Sequence, residues 1–310
     1  MGRRQGELPR RGGGMAEALR IELRRRPSAV GNMTRALYPS AGLAKAGRFP
    51  SIIVSWTRHH VDRRHLDTFL GLTGLGASRH LPLLFLHAIS FPLQMTILTH
   101  PMFPVPIWGA LQIRNHLLQH RRIATGEVLD LETRVAGQRV LEKGAEVDLY
   151  STVRSGAEVV WESLNSFYYR GRFGPPGEVS PLARSPEEVG DVHARWRMPS
   201  GTGRRFGGLT GDYNGIHLWS WYARIFGFKG AFLHPQLSLG LCMAHLAGRE
   251  DPERQRLDAW LKGPVYYGAA VTLRAAVSES DSVFALLADE DERPRVVGRL
   301  GLASTGHLVA

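Results

Sequence analysis

A carboxylate, an amide and an imidazole lie within six residues of one another at Asp212, Asn214 and His217, on a glycine-rich approach that starts at Phe206. A carboxylate and an imidazole that close can share one water. One group removes a proton and the other delivers or positions it, provided that the surroundings separate their pKa values. Acid–base chemistry is what these residue types support. Taken alone, an Asp-x-Asn-x-x-His string has a plainer reading, with Asp212 as a helix N-cap and His217 on the surface. Little else in the chain competes. His59, His60, His65 and His100 lack metal-ligand spacing with acidic partners, so no metal centre is expected. Cys242 lies midway along an apolar helical run and reads as a packing residue. Trp219 and Trp221 flank the motif and read as core or pocket wall. No P-loop, dinucleotide fingerprint or Gly-x-Ser-x-Gly elbow is present.

The elements that must hold this turn follow from periodicity and punctuation. Residues 52–56 predict a strand and 62–70 a short helix with an acidic start. Residues 83–99 predict a long apolar helix, and four strands follow at 108–118, 127–135, 145–153 and 159–169, separated by Gly126, Gly137, Gly144 and Gly156. Residues 171–190, with Pro175, Pro176, Pro181 and Pro186, have linker composition. The order then repeats. A strand is predicted at 192–197, a helical start near His217, a longer apolar helix from Pro235 to Leu246, and strands at 265–277, 282–288 and 295–303. Two local matches support a duplication. Gly126, Leu129, Leu131 and Val135 recur as Gly268, Val271, Leu273 and Val277, and Gly71-Leu72-Thr73-Gly74 recurs as Gly208-Leu209-Thr210-Gly211. On the second match, Leu75 falls opposite Asp212, Ala77 opposite Asn214 and His80 opposite His217, so the first half lacks the carboxylate.

Composition narrows the classes. A chain of 310 residues with 43% hydrophobic and 22% charged residues can bury one large core or two smaller ones, which excludes general disorder. A single cysteine excludes an internal disulfide framework and a thiolate metal cluster, and it favours a reducing, cytoplasmic setting. The formal charge of +11 is concentrated at one end: 11 of the 39 Lys and Arg but 3 of the 28 Asp and Glu fall within residues 1–48. That segment, punctuated by Gly and Pro and without an apolar core, is expected to be a mostly disordered basic tail rather than a signal peptide. The rest of the chain shows no basic-aromatic stripe, so no nucleic-acid partner is expected. Residues 80–113 carry no formal charge, yet Pro82, Pro92, Pro101, Pro104 and Pro106 interrupt them; a buried helix and strand fit better than a membrane span.

The string Leu209-Thr210-Gly211-Asp212-Tyr213-Asn214-Gly215-Ile216-His217, followed by Ala223, resembles the motif of the MaoC-like (R)-specific enoyl-CoA hydratases. Gly263-Pro264-Val265-Tyr266-Tyr267-Gly268 is similar to that family's strand after the central helix. The resemblance implies an α+β fold of two fused hotdog domains, each a long helix wrapped by a curved antiparallel sheet. It would place a degenerate hotdog at 49–170, the linker at 171–190 and the hotdog that carries the motif at 191–310. It implies a hydratase/dehydratase that interconverts trans-2-enoyl and (R)-3-hydroxyacyl thioesters without a cofactor, the thioester itself acidifying the α-proton. The substrate would be an acyl-CoA or an acyl carrier protein conjugate, and the fused chain could pair as a homodimer. Asp212 and His217 would be the catalytic dyad and Asn214 would help orient it, with the choice of formal base left open.

In the family a backbone N–H at the start of the central helix, in a His-Gly-Met context, holds the thioester oxygen. Here the string is His234-Pro235-Gln236, and proline has no N–H. With Pro235 in the first turn, the N–H of Gln236 would still point out of the helix N-terminus, which makes Gln236, beside Gly211, the oxyanion candidate. Gly215 stands where the family usually has proline and is expected to loosen the turn. His234, Arg204 and Arg205 are candidate substrate-binding positions, the arginines for CoA or phosphopantetheine phosphates. The proline-rich 82–106 region is consistent either with a remodelled first-half helix that leaves an acyl tunnel or with a plain buried helix. Two rival functions share the fold: a hotdog thioesterase, and a non-catalytic acyl-thioester-binding protein.

Overall fold

The computed structural model describes residues 18–43, 48–187, 189–246, 252–303 and 306–308. Strand β1 (Leu19–Leu23) and helix α1 (Ala29–Arg35) precede two similar halves. The first runs β2 (Ile52–His60), α2 (Arg63–Thr73), α3 (Leu83–Leu98), β3 (Leu111–Gln119), β4 (Val128–Leu141), β5 (Gly144–Ser155) and β6 (Glu158–Arg170). The second runs β7 (Asp191–Arg197), α4 (Gly203–Thr210), α5 (Ser220–Ile225), α6 (Pro235–His245), β8 (Gln255–Leu261), β9 (Ala270–Val277), β10 (Asp281–Ala288) and β11 (Asp291–Leu302).

All strands join one sheet in the order β1-β2-β4-β5-β6-β3-β8-β11-β10-β9-β7. Apart from β1, which pairs parallel to β2, the ladders are antiparallel. Reading inward from each edge, β2-β4-β5-β6-β3 matches β7-β9-β10-β11-β8, so the halves share one topology and meet where β3 pairs β8, Leu117 opposite Leu257. The two halves are fused hotdogs. The repeated spacing has a structural basis: Leu129 and Leu131 on β4, like Val271 and Leu273 on the equivalent β9, are core residues at most 1% exposed.

Helix α3 is apolar around its whole circumference because it is covered around its whole circumference: its 16 residues are all buried, and it touches β2 through β6. It stays continuous through Pro92, so the first-half helix is not remodelled. The halves also interlock. A Cβ on Gly74, just past α2, would lie 3.5 Å from Ala244 of α6, and one on Gly211, just past α4, would lie 3.8 Å from Pro92 of α3. Within α6, a Cβ on Gly240 would come within 2.5 Å of Thr73, so only glycine lets α2 approach so closely.

Several expectations need correction. The basic segment is folded where described: alternate residues Leu19, Ile21 and Leu23 of β1 pack on the core, and Ser28 caps α1 through a 3.1 Å bond from the Gly31 N–H. Residues 1–17 and 44–47 of that segment lie outside the described residues. The glycine-rich approach to the motif is helix α4, and the turn follows it. The strand expected from residue 265 begins at Ala270, because Gly268 takes a positive φ of 70° in the turn before it. Strand β8, at the junction of the halves, has no counterpart among the expected strands; its mixed sequence Gln-Arg-Leu-Asp-Ala-Trp-Leu lacks clean alternation.

Candidate active site

Glycines in α4 allow the motif to lie directly against that helix. A Cβ on Gly203 would come within 2.3 Å of His217 O, and one on Gly207 within 2.7 Å of Asp212 O, so the two catalytic candidates rest on positions four residues apart on one helical face. Gly211 ends α4 in the left-handed region (φ 75°), its N–H bonded to Gly207 O at 2.8 Å. The turn that follows is pinned by side chains. Asp212 Oδ1 accepts the Asn214 N–H at 3.0 Å, and Asn214 Oδ1 accepts the Ile216 N–H at 3.3 Å, starting a single 3-10 turn, Gly215–His217. Gly215 does more than loosen this turn: the Tyr222 ring occupies the space in which a side chain would stand.

His217 is buried rather than on the surface. Its Nδ1–H donates to Phe232 O at 3.0 Å, which leaves the Nε2 lone pair toward Asp212 Oδ2, 3.9 Å away. That gap is too long for a hydrogen bond and suits a small oxygen nucleophile that touches both groups. Burial pushes the imidazole pKa down, opposed in part by the Asp212 charge. His234 lies behind the pair, fully buried. Its ring stacks on His217 with centroids 4.0 Å apart, and its Nε2–H donates to Asp212 O at 3.0 Å. Burial drives its pKa down to about 3, so it remains neutral beside His217.

Asp212, Asn214 and His217 open into a cavity of about 240 Å³ between the halves. Its apolar walls come from both: Phe91, Met95 and Phe167 from the first, Phe232 and Val265 from the second. Periodicity revealed these first-half residues only as core, since an apolar helix facing a cavity and one facing a packed core have the same pattern. Trp219 and Trp221 belong to neither wall; they are 42% and 61% exposed.

Two clusters bring three potential metal ligands within 4.8 Å: Asp212, His217 and His234, and His120, Glu162 and His307. Neither suits an ion. In the first, each ring already has one nitrogen bonded to a backbone carbonyl, His217 Nδ1 to Phe232 O and His234 Nε2 to Asp212 O, and the two rings stack on each other rather than converge. In the second, Glu162 already accepts from both imidazoles, from Tyr150 Oη at 2.7 Å and from the Leu308 N–H at 3.0 Å. Arg254, which can only donate, also faces His120 Nδ1 at 3.4 Å, where a ligating histidine would carry its proton.

No protein-family model matches the chain. A curated relative, 3-hydroxyacyl-thioester dehydratase X of Mycobacterium tuberculosis, is 26% identical over 251 residues, 81% of this chain and 89% of that protein. The crystal structure of HtdX from the same organism superposes with a TM-score of 0.70 at 24% identity, covering 81% of this chain and 100% of that one. A MaoC-like dehydratase from Phytophthora capsici gives a TM-score of 0.67 at 17% identity, covering 83% and 96%. The chain is similar to the MaoC-like dehydratases and shares their fold.

The other expected site residues divide. Gly211 is the hinge before Asp212, outside the cavity lining. Arg204 and Arg205 are exposed on α4 and do not reach the cavity; the cationic side chains that line it are Arg170 and Lys262, one from each half. Pro235 does line it, as the first residue of α6. The N–H groups of Leu237 and Ser238 bond to His234 O, and the Gln236 N–H belongs to the first-turn amides without an intrahelical partner. The Gln236 side chain turns into the first half, with Nε2 3.4 Å from both Gln112 Oε1 and His87 Nε2. Among the described residues, no helix is long and apolar enough to cross a membrane.

Proposed function

We propose that the protein interconverts trans-2-enoyl and (R)-3-hydroxyacyl thioesters by acid–base activation of water. The observation that carries this reading is the Asp212–His217 pair, 3.9 Å apart, facing a cavity with apolar walls. In hydration, water held between the two groups loses a proton as its oxygen bonds to C3. The C2=C3 π electrons move toward C2, charge develops on the thioester oxygen, and C2 then takes the proton. Dehydration reverses each step. The tautomer that the Phe232 carbonyl fixes gives the pair an accepting Nε2, while Asp212 and Asn214 hold the water's orientation. No cofactor enters this scheme.

Gln236 is the donor we assign to the thioester oxygen, on the support of its unused first-turn amide beside the cavity-lining Pro235. Arg170 and Lys262 are placed to meet the phosphates of CoA or of a carrier's phosphopantetheine, in a cytoplasmic setting. The test is loss of enoyl absorbance with a panel of trans-2-enoyl-CoAs, followed by chiral analysis of the product. Wild type should give the (R)-3-hydroxy product, and Asp212→Asn should lose on the order of 10³-fold in kcat. Because burial lowers the His217 pKa, the acid limb of the rate profile should lie below the usual imidazole value of 6.5. Release of free thiol without hydration would instead identify a thioesterase, and retention of unchanged acyl-CoA a binding protein.

A further inference from the structure

The helix that delivers Asp212 ends in carbonyls that the helix itself cannot satisfy. Gly207 O is bonded to the Gly211 N–H. The next two acceptors, Gly208 O and Leu209 O, are both bonded by one guanidinium nitrogen, Nη2 of Arg26, at 2.8 and 2.6 Å. Arg26 lies 182 residues earlier in the chain than Gly208. Its place is fixed on both sides: β1 before it is paired with β2 from Leu19 opposite Ile52 to Leu23 opposite Trp56, and α1 after it is capped by Ser28. The turn beyond is tied back to this helix end, since the Asp212 N–H donates to Thr210 Oγ1 at 3.3 Å and Thr210 Oγ1 to Phe206 O at 3.2 Å. A cation at a helix C-terminus also meets the negative end of the helix dipole.

We infer that Arg26 is a positioning residue for the catalytic carboxylate, holding the end of α4 so that Asp212 faces His217 across the cavity. This rests on the proposed dyad for its kinetic consequence, but its structural consequence is independent of any activity. Arg26 does not line the cavity, so its loss would reach the reaction through the position of Asp212.

The experiment compares wild type with Arg26→Ala and Arg26→Lys in two measurements. Hydrogen exchange should quicken at the amides of residues 211–214 in Arg26→Ala, with the equivalent segment after α2 unchanged. In enoyl-CoA hydration, kcat should fall about tenfold with KM within about twofold of wild type. Added guanidinium ion should restore part of the lost rate saturably, and Arg26→Lys should retain more activity than Arg26→Ala. A residue that served stability alone would lower Tm without a guanidinium-dependent kcat. Unchanged exchange at 211–214 overturns the inference even if wild type proves inactive on every thioester; that inactivity would count against the proposed reaction instead. Unchanged kcat in Arg26→Ala, with wild type active, overturns it equally.

Discussion

The two halves end their short helices with the same four residues and the same backbone, and only one continues into the candidate dyad. Gly74 and Gly211 take φ of 74° and 75°, and Thr73 and Thr210 donate back to Phe69 O and Phe206 O. Phe69 and Phe206 are both fully buried, with rings 6.4 Å apart. Beyond the glycine the halves diverge. His80 bridges Ala124 just before α3, and Phe232 bridges Tyr266 just before α6, so these two residues occupy equivalent places. Six positions separate Gly74 from His80, whereas twenty-one separate Gly211 from Phe232. The second half therefore carries an insertion that holds Asn214, His217 and α5, and His80 corresponds to Phe232 rather than to His217. The halves share the scaffold, and the candidate imidazole His217 lies in what the second half carries beyond it.

The sharpest way to break this difference is at the N-cap of the central helix. That position is His234 in α6 and Pro82 in α3. His234→Phe keeps an aromatic face against His217 but loses the bond to Asp212 O, and His234→Gln keeps a donor but loses the stacking face. Displacement of a reacting group by about an ångström costs on the order of 100-fold, so each variant should lower kcat toward that extent with a smaller change in KM. Equal activity of both variants and wild type would show that the dyad is held without His234.

A paired substitution separates scaffold from chemistry. Gly74→Ala and Gly211→Ala place the same methyl on the same left-handed backbone, and neither meets an atom closer than 3.5 Å. Each should cost about 1–2 kcal/mol of stability, measured by denaturant unfolding. Only Gly211→Ala should also lower kcat, by about tenfold, because Asp212 is the next residue. A matching loss of kcat in Gly74→Ala would mean that the two helix ends are mechanically coupled across the interface.

The fold was legible where pattern and burial agree. Residues 52–56, 83–99 and 145–153 gave their elements because each has one dominant environment. Leu209 through His217 marked the candidate dyad because its residue types and spacing are specific, and Asp212, Asn214 and His217 do converge on one cavity. Other features were hidden for physical reasons. Polar β8 finds its partners across the junction rather than in its own periodicity. In the basic segment, charge bias outweighed the short alternation of Leu19, Ile21 and Leu23. The part played by His234 was hidden too, because the stacked ring and the Asp212 carbonyl come together only through the insertion. The pairing of His80 with His217 failed for the same cause: a fixed offset runs across an insertion that only the sheet bridges reveal.

The smallest expected effect is the most informative about that insertion. Installing Leu75→Asp and Ala77→Asn in the first half copies the missing carboxylate and amide onto the helix end with the matching backbone. Leu75 is half-buried and Ala77 exposed, so the stability change should stay within about 1 kcal/mol. In an Asp212→Asn background, where the proposed site should retain only residual activity, the double substitution should restore no hydration above that background. The reason is positional: His80 lies in a strand bridge with Ala124, at the place of Phe232, and nothing in the six positions after Gly74 supplies an imidazole across from the introduced carboxylate. Measurable (R)-3-hydroxyacyl product from that variant would show that the insertion is dispensable and that the lost carboxylate alone silenced the first half.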